Sequence, residues 1–158
     1  MKKKVAIIGP GRDGATLGRL FVLSDFGVQS VVGNRPETAA EGAKFIGAPL
    51  VTDLEEAVRG ADVVAICVPD REVPGVAAEL ASVPLADQAV VFHTSGSLSS
   101  RNLETLRSKN RGVALASAHP LQSFASPKEA MGRMRGVTWS IEGDERALAF
   151  LDGMVAGF

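Results

Sequence analysis

The sequence predicts an α/β fold: a doubly wound, mostly parallel sheet of six or seven strands with helices on both faces, three layers in all. Three observations predict it. Short runs with almost no polar residue, such as Val5-Ala-Ile-Ile8 and Asp62-Val-Val-Ala-Ile-Cys-Val68, alternate with helical patterns. A strand covered on both faces reads as such a run rather than as a polar/apolar alternation. The first run passes at once into three closely spaced glycines, Gly9, Gly11 and Gly14, and then a helical stripe, which is the order strand, tight turn, helix. Finally, 17 glycines and an aromatic content of 5% suit close packing of helices on a sheet.

The elements follow in order. Val5 to Ile8 make the first strand, placed centrally by its lack of polar residues. Ala15, Leu17, Leu20, Phe21 and Leu23 give the first helix its apolar stripe, which stops near Phe26, with Gly27 as a left-handed cap. Val28 to Val32 form the second strand. Gly33-Asn-Arg-Pro36 is a turn, and Pro36 suits the first position of a helix that ends at Gly47. Pro49-Leu-Val51 reads as a short third strand, and Asp53 as the N-cap of a helix closed by Gly60. The run from Asp62 to Val68 is the fourth strand, ended by Pro69, with a helix from Glu72 to Ala81. Ala89 to Phe92 is the fifth, opening into His93-Thr-Ser-Gly-Ser-Leu-Ser-Ser100, whose hydroxyls are expected to cap a helix through Leu103 and Leu106. Val113 to Ala118 is the sixth, Val137 to Ile141 a seventh or edge strand, and a helix from Asp144 to Val155 follows. Strands alternating with helices imply right-handed crossovers and ligands at the carboxyl ends of the strands.

Composition excludes several classes. A net charge of −1 gives no reason to invoke nucleic acid or an anionic membrane. The single cysteine, Cys67, leaves no disulfide framework and no cysteine-rich zinc site. The apolar run after Met1-Lys-Lys-Lys4 is too short for a signal peptide, and no stretch approaches the roughly 20 apolar residues that span a bilayer. A soluble, cytoplasmic protein is expected, with residues 1–158 forming one domain.

The glycine turn specifies a ligand. Gly9 permits the turn, Gly11 lets backbone approach a pyrophosphate, Gly14 lets helix and strand pack, and the helix N-terminus offers free N–H groups to the phosphates. Pro10, Arg12 and Asp13 belong to the same turn. About 20 residues on, where an NAD site places a carboxylate, stand Asn34 and Arg35, with Thr38 nearby. A guanidinium suits a 2′-phosphate, so NADP is expected over NAD. Val68 and Pro69 end the fourth strand as an apolar wall of the cleft, and Thr94 follows the fifth. Cys67 reads as a small hydrophobe, since no basic neighbour is evident to make a thiolate. His93 and His119, the only histidines, stand at neighbouring strand ends and are the candidate catalytic groups, His119 first. Ser-His-Asp hydrolysis through Ser95 ranks low, because no G-x-S-x-G elbow surrounds that serine. The absence of tyrosine argues against a Tyr-Lys pair.

Taken together, Gly9-Pro-Gly-Arg-Asp-Gly14, Asn34-Arg35, Val68-Pro69-Asp70, His93-Thr-Ser-Gly96, His119-Pro-Leu-Gln-Ser-Phe124 and Ile141-Glu-Gly-Asp144 resemble an uncharacterised bacterial family of Rossmann-like NADP oxidoreductases. More distantly they resemble pyrroline-5-carboxylate reductases and deazaflavin-dependent NADP reductases. The resemblance implies NADP at the glycine turn and at Asn34-Arg35, with the nicotinamide end near Val68-Pro69, His93 and His119. The His119-Pro120 segment also looks like the His-Pro loop of prephenate dehydrogenases, whose histidine lies by the substrate. It further implies a small-molecule substrate (imine, carbonyl or alcohol) and a homodimer made by a C-terminal helical domain, which is expected to be absent here. Asp13 departs from the family, whose members carry an apolar residue there; it would compete with pyrophosphate for the same N–H groups. The alternative expectation is an NADP-binding or sensing domain without turnover, or a fragment that needs the helical domain.

Overall fold

A computed structural model describes residues 1–123 and 125–158. Six strands, β1 (Lys4–Ile8), β2 (Gly27–Val32), β3 (Val63–Ile66), β4 (Val90–His93), β5 (Ala114–Pro120) and β6 (Trp139–Gly143), form one sheet in the order β2-β1-β3-β4-β5-β6. The first five are parallel, and β6 runs antiparallel at the edge beside β5. Helices α1 (Arg12–Leu23), α2 (Pro36–Ile46), α3 (Leu54–Val58), α4 (Val73–Leu80), α5 (Pro127–Met131) and α6 (Glu145–Ala156) connect them. The architecture is Rossmann-like, as expected. The chain passes from β1 outwards to β2 and then returns to the other side of β1 as β3. That reversal opens a crevice at the carboxyl ends of β1 and β3, the place where such sheets bind ligands.

Two cores explain the polar-poor strands. Val5 and Ile7 of β1 join Phe21, Ile46, Phe92 and Leu151 on one face. Ala6 and Ile8 join Val64, Ile66, Leu80, Leu103 and Leu115 on the other. Successive side chains of one strand feed opposite layers, so the whole strand must be apolar.

Several local expectations hold. Pro36 opens α2, Gly47 closes it at φ 81°, and the Asp53 carboxylate accepts the Glu56 N–H at 2.8 Å.

Others are corrected. The first helix ends at Leu23, and the left-handed residue beyond it is Asp25 at φ 67°, not Gly27, which already belongs to β2. Asp tolerates that conformation better than most residues with a side chain. Pro49-Leu-Val51 forms only a single bridge from Leu50 to Val31, because Pro49 has no N–H to donate and α3 begins three residues later. The segment after His93 winds as a 3₁₀ helix, Ser100–Ser108. Its buried residues Leu103 and Leu106 are three apart, the spacing that a three-residue turn aligns. Ser97, Ser99 and Ser100 do not cap it; the Ser100 N–H and hydroxyl both donate to the Glu142 carboxylate. The helix expected from Glu72 is a 3₁₀ turn, Asp70–Glu72, running into α4, and α5 was not foreseen. No described helix is long and apolar enough to cross a membrane.

Candidate functional site

The glycine turn is shaped by its neighbours. Gly9 stands at φ 84°, which favours glycine, and its N–H bonds the Val32 carbonyl at 2.8 Å. A Cβ on Gly14 would collide with the Gly9 carbonyl oxygen and come within 3.0 Å of Cys67 Cβ. Gly11 differs, because a Cβ there would meet nothing within 4 Å. The turn thus packs inwards through Gly9 and Gly14 and presents the bare backbone of Gly11 outwards. Ala15 N–H already bonds the Gly11 carbonyl at 2.8 Å, so the first-turn N–H groups ahead of it point out of the helix end.

This turn forms one wall of a cleft of about 790 Å³. Gly9, Pro10, Gly11, Arg12 and Asp13 line it from the turn, and Asn34, Arg35 and Thr38 from beyond β2. Val68, Pro69 and Asp70 line it from beyond β3, Thr94 to Ser97 from beyond β4, and His119, Gln122 and Ser123 from the end of β5. Phe124, which closes the His119 motif, lies outside the described residues. Gly14 sits behind this wall, buried.

The structure places His93 behind the cleft wall rather than on it. Its ring is fully buried and does not line the cleft. Nδ1 accepts the Ser95 N–H at 3.2 Å, which leaves the proton on Nε2, and that N–H donates to the Ser99 carbonyl at 3.0 Å. Both nitrogens are spent on the loop that follows β4. The signal was available in the sequence: Ala89 and Val91 feed one core, and His93 continues that every-second-residue series inwards.

His119 is placed differently. β5 runs past Ala118 through Pro120, so His119 is the second-last residue of the strand. Its Nδ1 lies 2.9 Å from the Thr94 carbonyl; a carbonyl only accepts, so Nδ1 carries a proton there and the neutral ring leaves Nε2 as an acceptor. The ring edge packs over Gly96, where an added Cβ would come within 2.8 Å of Nε2.

Asp70 had no role in the sequence reading. Its Oδ2 accepts the Ser97 hydroxyl at 2.5 Å. That bond, then one from Ser95, holds its carboxyl below the usual carboxylate range against an opposing desolvation, with lesser contributions from His93 and His119. Ser95 Oγ in turn accepts the N–H groups of Ser97 and Leu98, both at 3.2 Å. Burial pushes the Cys67 thiol up to about 12, the Asp13 carboxylate adds to the rise and a hydrogen bond with Thr94 opposes it. The thiol therefore stays protonated at neutral pH, in keeping with its reading as a small hydrophobe.

Comparisons place this geometry among known proteins. Residues 4–96, more than half of the chain, match the profile of the family described as NADP oxidoreductase, coenzyme F420-dependent. A Mycobacterium tuberculosis 3-hydroxyisobutyrate dehydrogenase is similar in structure at 22% identity and TM-score 0.75, covering 99% of this chain and 52% of that one. A prephenate dehydrogenase from Aquifex aeolicus matches at 16% and 0.77, covering 99% and 59%. A pyrroline-5-carboxylate reductase from Coxiella burnetii matches at 12% and 0.78, covering 99% and 57%. The chain spans little more than half the length of these proteins, and the likeness is one of fold.

Proposed function

The chain belongs to the coenzyme F420-dependent NADP oxidoreductase family, and from that premise we propose that it is an NADP-dependent oxidoreductase acting on a small imine, carbonyl or alcohol. The observation that carries this reading is the cleft. It joins a phosphate-shaped turn, a cationic turn after β2 and an oriented imidazole at the end of β5. The residues fit the dinucleotide: Gly11 leaves open space where a pyrophosphate needs backbone, and the first turn of α1 offers N–H groups and a positive dipole end. Arg35, exposed beside Asn34 and Thr38, offers a guanidinium to a 2′-phosphate.

When bound, the cofactor supplies hydride. Val68 and Pro69 offer an apolar wall at the far end. His119, held by the Thr94 carbonyl, presents Nε2 to the substrate's nitrogen or oxygen. Protonated, it donates the proton that the heteroatom needs as hydride reaches carbon; neutral, it takes that proton in the reverse direction. His93 positions the loop that carries Thr94 and does not itself reach the substrate.

A second reading, an NADP-binding or sensing domain without turnover, is favoured by one feature. Asp13 puts a carboxylate in the turn that faces the phosphates. Titration with NADPH followed by a substrate screen separates the two, run on this chain and on a form extended past Phe158 by a C-terminal helical domain of the kind the sequence resemblance implies. Turnover in either form supports the oxidoreductase; tight NADPH binding with no turnover in both supports the sensor.

A further inference from the structure

Resting on the cofactor reading above, we infer that the chemical end of the cleft selects a substrate bearing positive charge on nitrogen, a protonated amine or an iminium ion, and that Asp70 recognises it. Asp70 is exposed on the cleft wall directly beyond Pro69. It is aimed by the Ser97 hydroxyl at 2.5 Å, and Ser97 is in turn fixed through Ser95. The groups that act on its charge are these two hydroxyls and the imidazoles of His93 and His119. Hydroxyls orient a carboxylate without cancelling its charge, and with His119 in its neutral form the negative field is directed into the cleft.

Charge differs between the two ends of the lining. Arg12 and Arg35, with Asp13 between them, leave the glycine turn and the turn beyond β2 net positive where the phosphates would sit, whereas Asp70 and Glu72 lie beyond β3. The phosphates and the substrate would therefore meet opposite fields. A substrate carboxylate beside Asp70 is repelled, and an alcohol gains a hydrogen bond to the carboxylate but no attraction between opposite charges. An imine nitrogen beside Asp70 is held protonated, since an opposite charge favours the charged form. The step balances: hydride from the dihydronicotinamide forms a C–H bond at the iminium carbon, and the C=N π pair moves to nitrogen. The products are an amine and the oxidised cofactor. His119 and Asp70 then have separate roles: His119 gives the imine nitrogen its proton before hydride arrives and is left neutral, and Asp70 recognises the iminium charge so formed.

Calorimetric titration of the NADP⁺-saturated chain at pH 7 with cyclohexylammonium, cyclohexanol and cyclohexanecarboxylate tests this. The ammonium is expected to bind about tenfold more tightly than either of the others, because it alone adds attraction between opposite charges to the hydrogen bond with Asp70. In Asp70→Asn, which keeps an acceptor for Ser97, that preference falls to near parity while NADP⁺ still binds. Retained NADP⁺ binding with equal affinity for the three probes, or an ammonium preference unchanged in Asp70→Asn, overturns the inference and leaves the cofactor reading intact. Failure of NADP⁺ to bind overturns both.

Discussion

At the residue scale the cofactor end rests on a few side chains with opposing effects. Arg35→Ala removes the guanidinium offered to the 2′-phosphate. A charge-assisted bond of this kind contributes about 1.5–3 kcal/mol, so NADPH affinity should fall by roughly ten- to a hundredfold while NADH affinity hardly changes. Paired fluorescence titrations check it, and an equal loss for both cofactors would assign Arg35 a general rather than a discriminating role. Asp13→Val should act in the other direction: removing the carboxylate from the first turn of α1 tightens NADPH binding by about 0.3–1 kcal/mol, the usual size of a charge effect at a helix end. Unchanged affinity would show that Asp13 does not compete with the phosphates. The residues of the glycine turn and of Asn34-Arg35 were legible in the sequence because their placement is local, fixed by the turn that each occupies. Asp70 was not, because its meaning depends on Ser97, which lies 27 residues away and meets it only across two neighbouring strand ends.

At the element scale the loop after β4 links the two histidines. His93 fastens Ser95 and Ser99 from below, and the same loop presents the Thr94 carbonyl to His119. His93→Ala would leave a cavity and strip both of those backbone groups of a buried partner, costing about 2–5 kcal/mol. Thermal unfolding should show this as a lower Tm. Gly14→Ala should be similarly costly, because its Cβ would enter the space of the Gly9 carbonyl oxygen; a folded, NADPH-binding Gly14→Ala protein would contradict the close packing of α1 on the turn. The sequence showed these elements through apolar runs, capping residues and glycine spacing. It failed where long-range contacts decide: Ser100 turns to Glu142 on β6 instead of capping its own helix, and α5 is too short to show a helical period.

At the scale of the whole molecule, two depressed carboxylates set an acid limit. Asp70 and Asp144 both have folded-state values below the ordinary 3.8. For Asp144, burial opposes ionisation, but the Leu115 N–H and the Arg107 guanidinium, each at 2.6 Å, outweigh it. A group depressed on folding adds stability that is complete above its unfolded value and lost as pH falls through its folded value. The Tm should therefore be steady from neutrality to about pH 5 and decline below pH 4. In Asp144→Asn the decline should be shallower and the neutral-pH Tm lower. The fold class was visible from the sequence because parallel strands buried on both faces can hardly be anything else. The antiparallel course of the edge strand was not, since β6 only alternates half-buried with exposed residues.

The central claim is that the cleft binds NADP(H) in preference to NAD(H). Trp139, the single tryptophan, borders a small side pocket that shares Asp13 and Thr94 with the cleft, and can serve as donor for energy transfer to a reduced nicotinamide. Titrating the chain with NADPH and with NADH, exciting Trp139 and reading nicotinamide emission, tests the claim directly. Saturable transfer at a concentration of NADPH at least about tenfold below that required for NADH is the predicted result; equal saturation by the two, or no saturable transfer with either, would contradict it.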